Sequence, residues 1–277
     1  MEESTKWLNN HTSQYSLGLP LPVEKCCCGI ASTIFTLRYF GINKGASNSE
    51  LAIGYMKSGR YTRPVVTVAF DDFPGCSFPV LVAKGLEDYN IQEATERARA
   101  FMGVYSEGYG AKYSLQTTFF DHTKYLPAFC MEKGSDARGI SHYLESRGLH
   151  TVIYEHKDGL PLAKLDSSHI ILNRQNEFVS EYKKCLKSAN TLLISSVTQS
   201  KFSYPDCARV MRDHRYIGTH VVVASGGSTK NRVIYADPAY SGEQDGIREI
   251  DTTKFIDALA DDTREEGHFI AVWKDLE

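Results

Sequence analysis

Apolar side chains recur at helical spacing along most of the first half of the chain. Ile30, Ile34 and Leu37 repeat every three or four residues and Gly41 follows them, which predicts a helix over 29–40 that ends at a glycine. The same spacing predicts further helices over residues 51–58, 91–102, 136–147 and 176–189.

Short apolar runs that are rich in Val, Ile and Tyr become frequent towards the C-terminus. They predict strands over residues 65–70, 151–155, 191–197, 220–224, 232–236 and 269–273. One more helix is predicted over residues 252–260. Because helices dominate the first half and strands the end, the order predicts an α+β fold rather than a βαβ alternation.

The stretch 61–134 departs from this regularity, because it is rich in Phe and Tyr and is broken by Pro74, Gly75 and Pro79. It is predicted to be largely irregular. Two interpretations stay open: extra core packing, or a substrate-binding insertion or lid. Since the chain shows no internal repeat and no long Ser/Gly linker, we expect a single domain over residues 1–277 that carries this insertion.

Composition and charge narrow the class of protein. The 277 residues include 31 basic and 34 acidic side chains, a balance that lacks the basic excess of a dedicated nucleic-acid binder. Residues 1–21 are polar and no apolar stretch reaches the length of a membrane span, so neither a signal peptide nor a membrane partner is expected. The seven cysteines form no CxxC pair, which favours a reduced, cytoplasmic setting without a metal or other cofactor.

Three of the cysteines, Cys26, Cys27 and Cys28, are adjacent. Cys28 stands at the start of the predicted helix, where the positive end of the helix dipole favours a thiolate. Gly29 permits a close backbone approach, and the Cys28 amide can face an oxyanion. The alternative interpretation is that all three are small core residues.

A second candidate feature is a hairpin formed by residues 218–224, the turn 225–231 and residues 232–237. If the pairing is centred between Ser228 and Thr229, His220 lies directly opposite Asp237 and shares its face. The carboxylate then fixes the imidazole tautomer and leaves the other ring nitrogen for proton transfer. A slip of one residue would separate the two side chains. The alternative is a core histidine and a turn aspartate.

Together these residues predict nucleophilic catalysis. A nucleophilic thiol needs a base, and the base needs a group that orients it. The chain supplies Cys28, His220 and Asp237 in that order.

Four short motifs resemble the C39-like, papain-like cysteine peptidases, and most closely the eukaryotic and plant family named for a guanylyl cyclase domain. They are CGIAS at 28–32, LRYFG at 37–41, GTHVVV at 218–223 and YADPAY at 235–240. The resemblance covers residues 20–50 and 136–277. It implies a papain-like fold, in which a helical part with the nucleophile helix packs on an antiparallel sheet.

The same resemblance implies a thiol-dependent acyl-transfer enzyme, a cysteine peptidase or amidase that acts on a peptide or on a small amide or acyl compound. Cys28 would be the nucleophile, His220 the base and Asp237 the orienting residue. Two positions depart from the pattern. Pro22 stands where the group has a glutamine oxyanion donor, and Cys27 stands where an aspartate is frequent. Either another donor, such as Gln14 or Asn10, then completes the oxyanion hole, or the chemistry is weakened or altered.

Other functions stay open on the sequence. The same triad can pass the acyl group to an amine, as acyltransferases and transpeptidases do. The family name points to guanylyl cyclase activity, but the chain has no Gly-rich phosphate loop and its adjacent aspartates, as at Asp71 and Asp72, face apart. A catalytically decayed binding scaffold is the remaining alternative, supported by Pro22.

Overall fold

The computed structural model describes residues 2–58, 65–81, 90–118, 129–131, 134–157, 163–166, 168–188, 190–198, 219–227, 229–240, 246–259 and 266–275. The chain divides into two compact units. The first comprises Met1–His11, Leu144–Asp237 and Glu243–Glu277, and the second comprises Thr12–Tyr143 and Pro238–Gly242.

Both helices and strands are present, so the predicted α+β class is confirmed. The helices are α1 (Glu2–Asn10), α2 (Leu21–Glu24), α3 (Cys28–Tyr39), α4 (Asn48–Ser58), α5 (Ile91–Tyr109), α6 (Ala137–Glu145), α7 (Gln175–Cys185) and α8 (Thr252–Leu259), with a short 3-10 helix at Gln14–Ser16. The strands are β1 (Val65–Phe70), β2 (Ser77–Leu81), β3 (Tyr113–Thr118), β4 (Phe129–Cys130), β5 (Gly134–Ser135), β6 (His150–Lys157), β7 (Ala163–Asp166), β8 (His169–Leu172), β9 (Thr191–Thr198), β10 (Thr219–Gly226), β11 (Arg232–Ala236), β12 (Ile247–Asp251) and β13 (Glu266–Trp273).

The first unit is built on a sheet of eight described strands in the order β12-β11-β10-β9-β13-β6-β8-β7. Its neighbouring strands pair antiparallel, apart from the parallel pair β6–β8. The central strand β9 is buried along nearly its whole length. A sheet that is buried at its centre holds the strands next to it, including β10, in a fixed register.

One face of this sheet is covered by α7 and α8. Tyr182 of α7 stacks on Phe255 of α8 at 5.8 Å between ring centroids and meets Phe269 of β13 edge-on at 4.9 Å. These three rings are fully buried. The Tyr182 hydroxyl reaches Ser195 Oγ on β9 at 3.1 Å, which satisfies a polar group inside this core.

The second unit is built around α3, whose residues 29–37 are all buried. Gly41 adopts a left-handed φ of 79° and donates to Arg38 O, and Ile42 donates to Leu37 O, which closes the C-terminus of the helix. The predicted helix and its glycine stop are therefore confirmed. The unit also contains a three-stranded antiparallel sheet in the order β2-β1-β3.

Within 61–134, the predicted strand over 65–70 is confirmed as β1, and the predicted helix over 91–102 is confirmed as the first part of the 19-residue helix α5. The interpretation of the remainder as largely irregular is wrong for the described residues, which also hold the strands β2 and β3. Pro79, which the sequence marks as a break, lies inside β2, and this is possible because among the described strands β2 is an edge strand of its sheet, next to β1. In the described part of the chain, no helix has both the length and the apolar character of a membrane span.

Candidate functional site

Cys28 is the first residue of α3, as the sequence predicted. The residue at the N-cap, Cys27, makes no side-chain capping bond, because its thiol donates to Val23 O at 3.0 Å instead. The first backbone N–H groups of a helix lack partners within the helix and carry partial positive charge. The partly exposed Cys28 thiol therefore lies where a negative sulfur is stabilised.

The two neighbouring cysteines differ from Cys28 in their surroundings. Burial, together with the nearby Cys28 and Cys130 thiols, raises the pKa of Cys26 to about 12. Burial also raises the pKa of the Cys27 thiol well above its usual range. Both groups therefore stay protonated at neutral pH, which favours the interpretation of Cys26 and Cys27 as packing residues.

Gly29 is required by a close contact at the start of α3. A methyl group at this position would lie 2.5 Å from Ser135 Cβ and 2.6 Å from Ser135 Oγ on β5. Such distances are too short for a real side chain, so glycine is what lets β5 approach the first turn of the helix. This approach fixes the backbone next to Cys28.

We expect Gly29→Ala to destabilise the protein by about 1–3 kcal/mol, the usual range for overpacking. Urea unfolding measures the effect. The double variant Gly29→Ala/Ser135→Gly removes the opposing side chain and should recover most of the lost stability. An unchanged unfolding midpoint for Gly29→Ala alone would show that the contact is not made.

His220 and Asp237 meet in the first unit. His220 Nε2 lies 2.7 Å from Asp237 Oδ1, and the two residues are 5% and 0% exposed. When Asp237 is ionised, its carboxylate only accepts hydrogen bonds, so Nε2 carries the proton and Nδ1 is the basic nitrogen of the neutral ring. Asp237 therefore lies where a carboxylate can hold the orientation and the tautomer of His220.

The register of the hairpin differs from the prediction by two residues. Val223 pairs with Ala236 and Gly226 pairs with Val233, so Asp237 follows β11 and faces His220 diagonally rather than directly. Side chains alternate between faces with a period of two, so an offset of two keeps both groups on one face. The predicted turn centre includes Ser228, which lies outside the described residues.

Gln14 and Asn10 were the two candidates for the missing oxyanion donor. Gln14 is buried in the second unit, where its Nε2 donates to Lys25 O at 3.2 Å, three residues before Cys28. Its Oε1 is also buried and has no hydrogen-bond partner among the described residues. Asn10 ends α1 in the first unit and donates at an exposed site to Lys6 O. Of the two, Gln14 is the buried amide that is bonded next to the cysteine segment.

The structure therefore brings together two of the three predicted residues, His220 and Asp237, in the first unit, and places Cys28 in the second. Among the described residues, no group of three or more His, Cys, Asp or Glu side chains is arranged to hold a metal ion.

No protein-family model matches the chain, and no curated protein matches it.

Proposed function

We propose that the protein is a thiol-dependent acyl-transfer enzyme, a cysteine peptidase or amidase with Cys28 as nucleophile, His220 as base and Asp237 as orienting residue. The observation that carries the proposal is the buried His220–Asp237 hydrogen bond of 2.7 Å. A histidine whose tautomer is fixed by a buried carboxylate is the arrangement that general-base catalysis needs. The helix position of Cys28 supplies the complementary nucleophile.

In the proposed reaction, the Cys28 thiol gives its proton to Nδ1 of His220, and the sulfur attacks the substrate carbonyl. The tetrahedral intermediate collapses when the imidazolium returns that proton to the leaving amine, which leaves a thioester on Cys28. Water then attacks the thioester, His220 accepts its proton and returns it to the departing sulfur. Asp237 keeps its charge throughout and stabilises the imidazolium.

The oxyanion of this reaction needs donors, and Pro22 has no N–H group to offer. We propose the Cys28 backbone N–H and the Gln14 side-chain amide. An amide group has two N–H donors, and Lys25 O accepts from Gln14 Nε2. The second donor of this group is the one that the proposal assigns to the substrate.

The proposal includes the papain-like fold and the C39-like relationship that the four sequence motifs imply. It is supported by a cysteine at the start of a buried helix, by a histidine on a strand of a mostly antiparallel sheet and by an aspartate directly after the next strand. The proposed substrate is a peptide or a small amide or acyl compound. A reducing, cytoplasmic setting would keep the reactive thiol available.

The experiment that tests the function uses p-nitrophenyl acetate, an activated ester whose acetyl group an activated thiol accepts. We expect a burst of nitrophenolate and the mass of one acetyl group on Cys28. Adding glycinamide as an acceptor, beside a control without enzyme, separates transfer to an amine, which yields N-acetylglycinamide, from hydrolysis, which yields acetate. If Cys28 carries no acetyl group after reaction with excess p-nitrophenyl acetate, the proposal is contradicted and a binding scaffold is favoured.

Matched amide variants test the proposed donor in the same assay. Gln14→Ala should lower kcat about 10²- to 10³-fold, the usual cost of one oxyanion donor. Asn10→Ala should leave kcat unchanged, because Asn10 is bonded to Lys6 O at an exposed site. Equal effects of the two substitutions would refute the assignment to Gln14.

A further inference from the structure

The main chain of Asp237 is held on both sides within the first unit. Its N–H donates to Gly246 O at 2.7 Å. Its carbonyl oxygen lies 3.0 Å from Nε2 of His11. Since a carbonyl only accepts, the His11 ring donates from Nε2. The residue that orients His220 is thus itself bonded to a histidine that is 226 positions away in the chain.

Gly246 leaves the space that the His11 ring occupies. A Cβ atom built on Gly246 would overlap three atoms of the imidazole, Nε2, Cε1 and Cδ2. Gly246 is not among the glycines with left-handed φ, so its backbone suits an alanine, and the three atoms nearest to an added Cβ all belong to the His11 ring. The same residue therefore accepts from Asp237 and admits the histidine that donates to Asp237.

We infer that His11 is a positioning residue for the His220–Asp237 pair. The inference rests on the proposed function, because it assigns His11 to the support of the same triad. A carboxylate held at 2.7 Å from an imidazole depends on where its backbone lies, and a displacement of about 1 Å at a reacting group can cost 10²-fold in rate. His11 acts through Asp237, and the segment that follows α1 thereby becomes part of the site.

The direct test reads the tautomer of His220 by ¹⁵N NMR of histidine-labelled protein, with His220→Gln used to assign its signals. The wild-type ring should show the Nε2–H tautomer that the Asp237 carboxylate imposes. In His11→Ala this preference should weaken towards a mixture of tautomers. In His11→Gln, whose side-chain N–H group reaches a similar position, it should be retained. Turnover of p-nitrophenyl acetate should fall about 10- to 100-fold in His11→Ala, mainly in kcat.

Gly246→Ala is a second way to break the hydrogen bond between His11 and Asp237, because it displaces the His11 ring without removing it. It should reproduce the His11→Ala tautomer change, and adding it to His11→Ala should cause little further loss. It also keeps the inference testable if His11→Ala does not fold.

The outcomes separate this inference from the proposed function. A tautomer change in His11→Ala, in a protein that never acylates Cys28, would uphold the positioning role and refute the function. An active enzyme whose His220 tautomer and kcat are the same in wild type, His11→Ala and Gly246→Ala would overturn the inference alone. Additive losses from His11→Ala and Gly246→Ala, with an unchanged tautomer, would likewise show a merely structural role.

Discussion

Replacing Cys28 with alanine should abolish both turnover and acylation, with a loss of at least about 10⁴-fold, because removal of a catalytic nucleophile leaves only binding and oxyanion stabilisation. The loss should appear in kcat, since in the proposed reaction Cys28 forms the covalent bond to the acyl group. Stopped-flow release of nitrophenolate and intact-protein mass spectrometry measure the two effects.

Cys26→Ser is the matched control for Cys28→Ala. Burial and the neighbouring thiols raise the pKa of Cys26 to about 12, so at pH 7 this group is a protonated thiol with little nucleophilic character. Iodoacetamide should therefore label Cys28 in Cys26→Ser as it does in the wild type. Acetylation that persists in Cys28→Ala at the wild-type rate would show that another residue is the nucleophile.

Replacing Asp237 with alanine should lower kcat about 10⁴-fold, as loss of the orienting carboxylate of a triad does. The substitution removes the partner of a buried imidazole, so the His220 ring loses its fixed tautomer and its orientation. We also expect a fall in the free energy of unfolding of about 1–3 kcal/mol, the cost of leaving a buried donor unsatisfied. Steady-state kinetics and urea unfolding measure the two effects.

Asp237→Asn is the control that separates orientation from charge. The asparagine amide can still hydrogen-bond Nε2, so this variant should keep more of the stability than Asp237→Ala, but it can donate as well as accept and no longer imposes the tautomer, so its kcat should also fall strongly. If the two variants were equally impaired, the charge would be the essential property. If Asp237→Ala retained full activity, the orienting role would be wrong.

The sequence predicts that His220 and Asp237 lie on the same face of a hairpin, but it does not predict the register in which the strands β10 and β11 pair. Turn residues such as Gly226, Gly227 and Ser228 mark a hairpin but leave the number of loop residues open. The observed pairing of Val223 with Ala236 differs from the predicted pairing by an even offset, which preserves the shared face. An odd offset would have put the two side chains on opposite faces.

Other elements lacked a pattern that could be recognised. In β12, Ile247–Asp251, no residue is fully buried, because it is an edge strand of the large sheet, so apolar and polar positions do not alternate clearly. The sequence predicts β1 but not its partner β2, because Pro79 indicates a break in the chain whereas β2 lies at an edge of its sheet, where proline is tolerated.

The support of Asp237 by His11 had no signal in the sequence. The two residues are 226 positions apart and belong to no common motif, and His11 follows a polar helix that shows no catalytic feature. Local patterns predict which side chains share an element or a hairpin, whereas a contact between distant segments depends on how the whole unit folds. For the same reason the sequence does not show which of the two amide side chains, Gln14 or Asn10, is the buried one.

The central claim of the proposed function is that Cys28 acts as the nucleophile and His220 as its base. The most direct test is the pH dependence of iodoacetamide alkylation of Cys28, compared between wild type and His220→Ala. An imidazolium next to a thiolate stabilises it, so under the proposal wild-type Cys28 should react rapidly with iodoacetamide down to about pH 6. An ordinary cysteine thiol, with a pKa of about 8.5, reacts slowly at that pH. In His220→Ala the alkylation profile should move up towards that of the ordinary thiol. Superimposable profiles for the two proteins would contradict the claim.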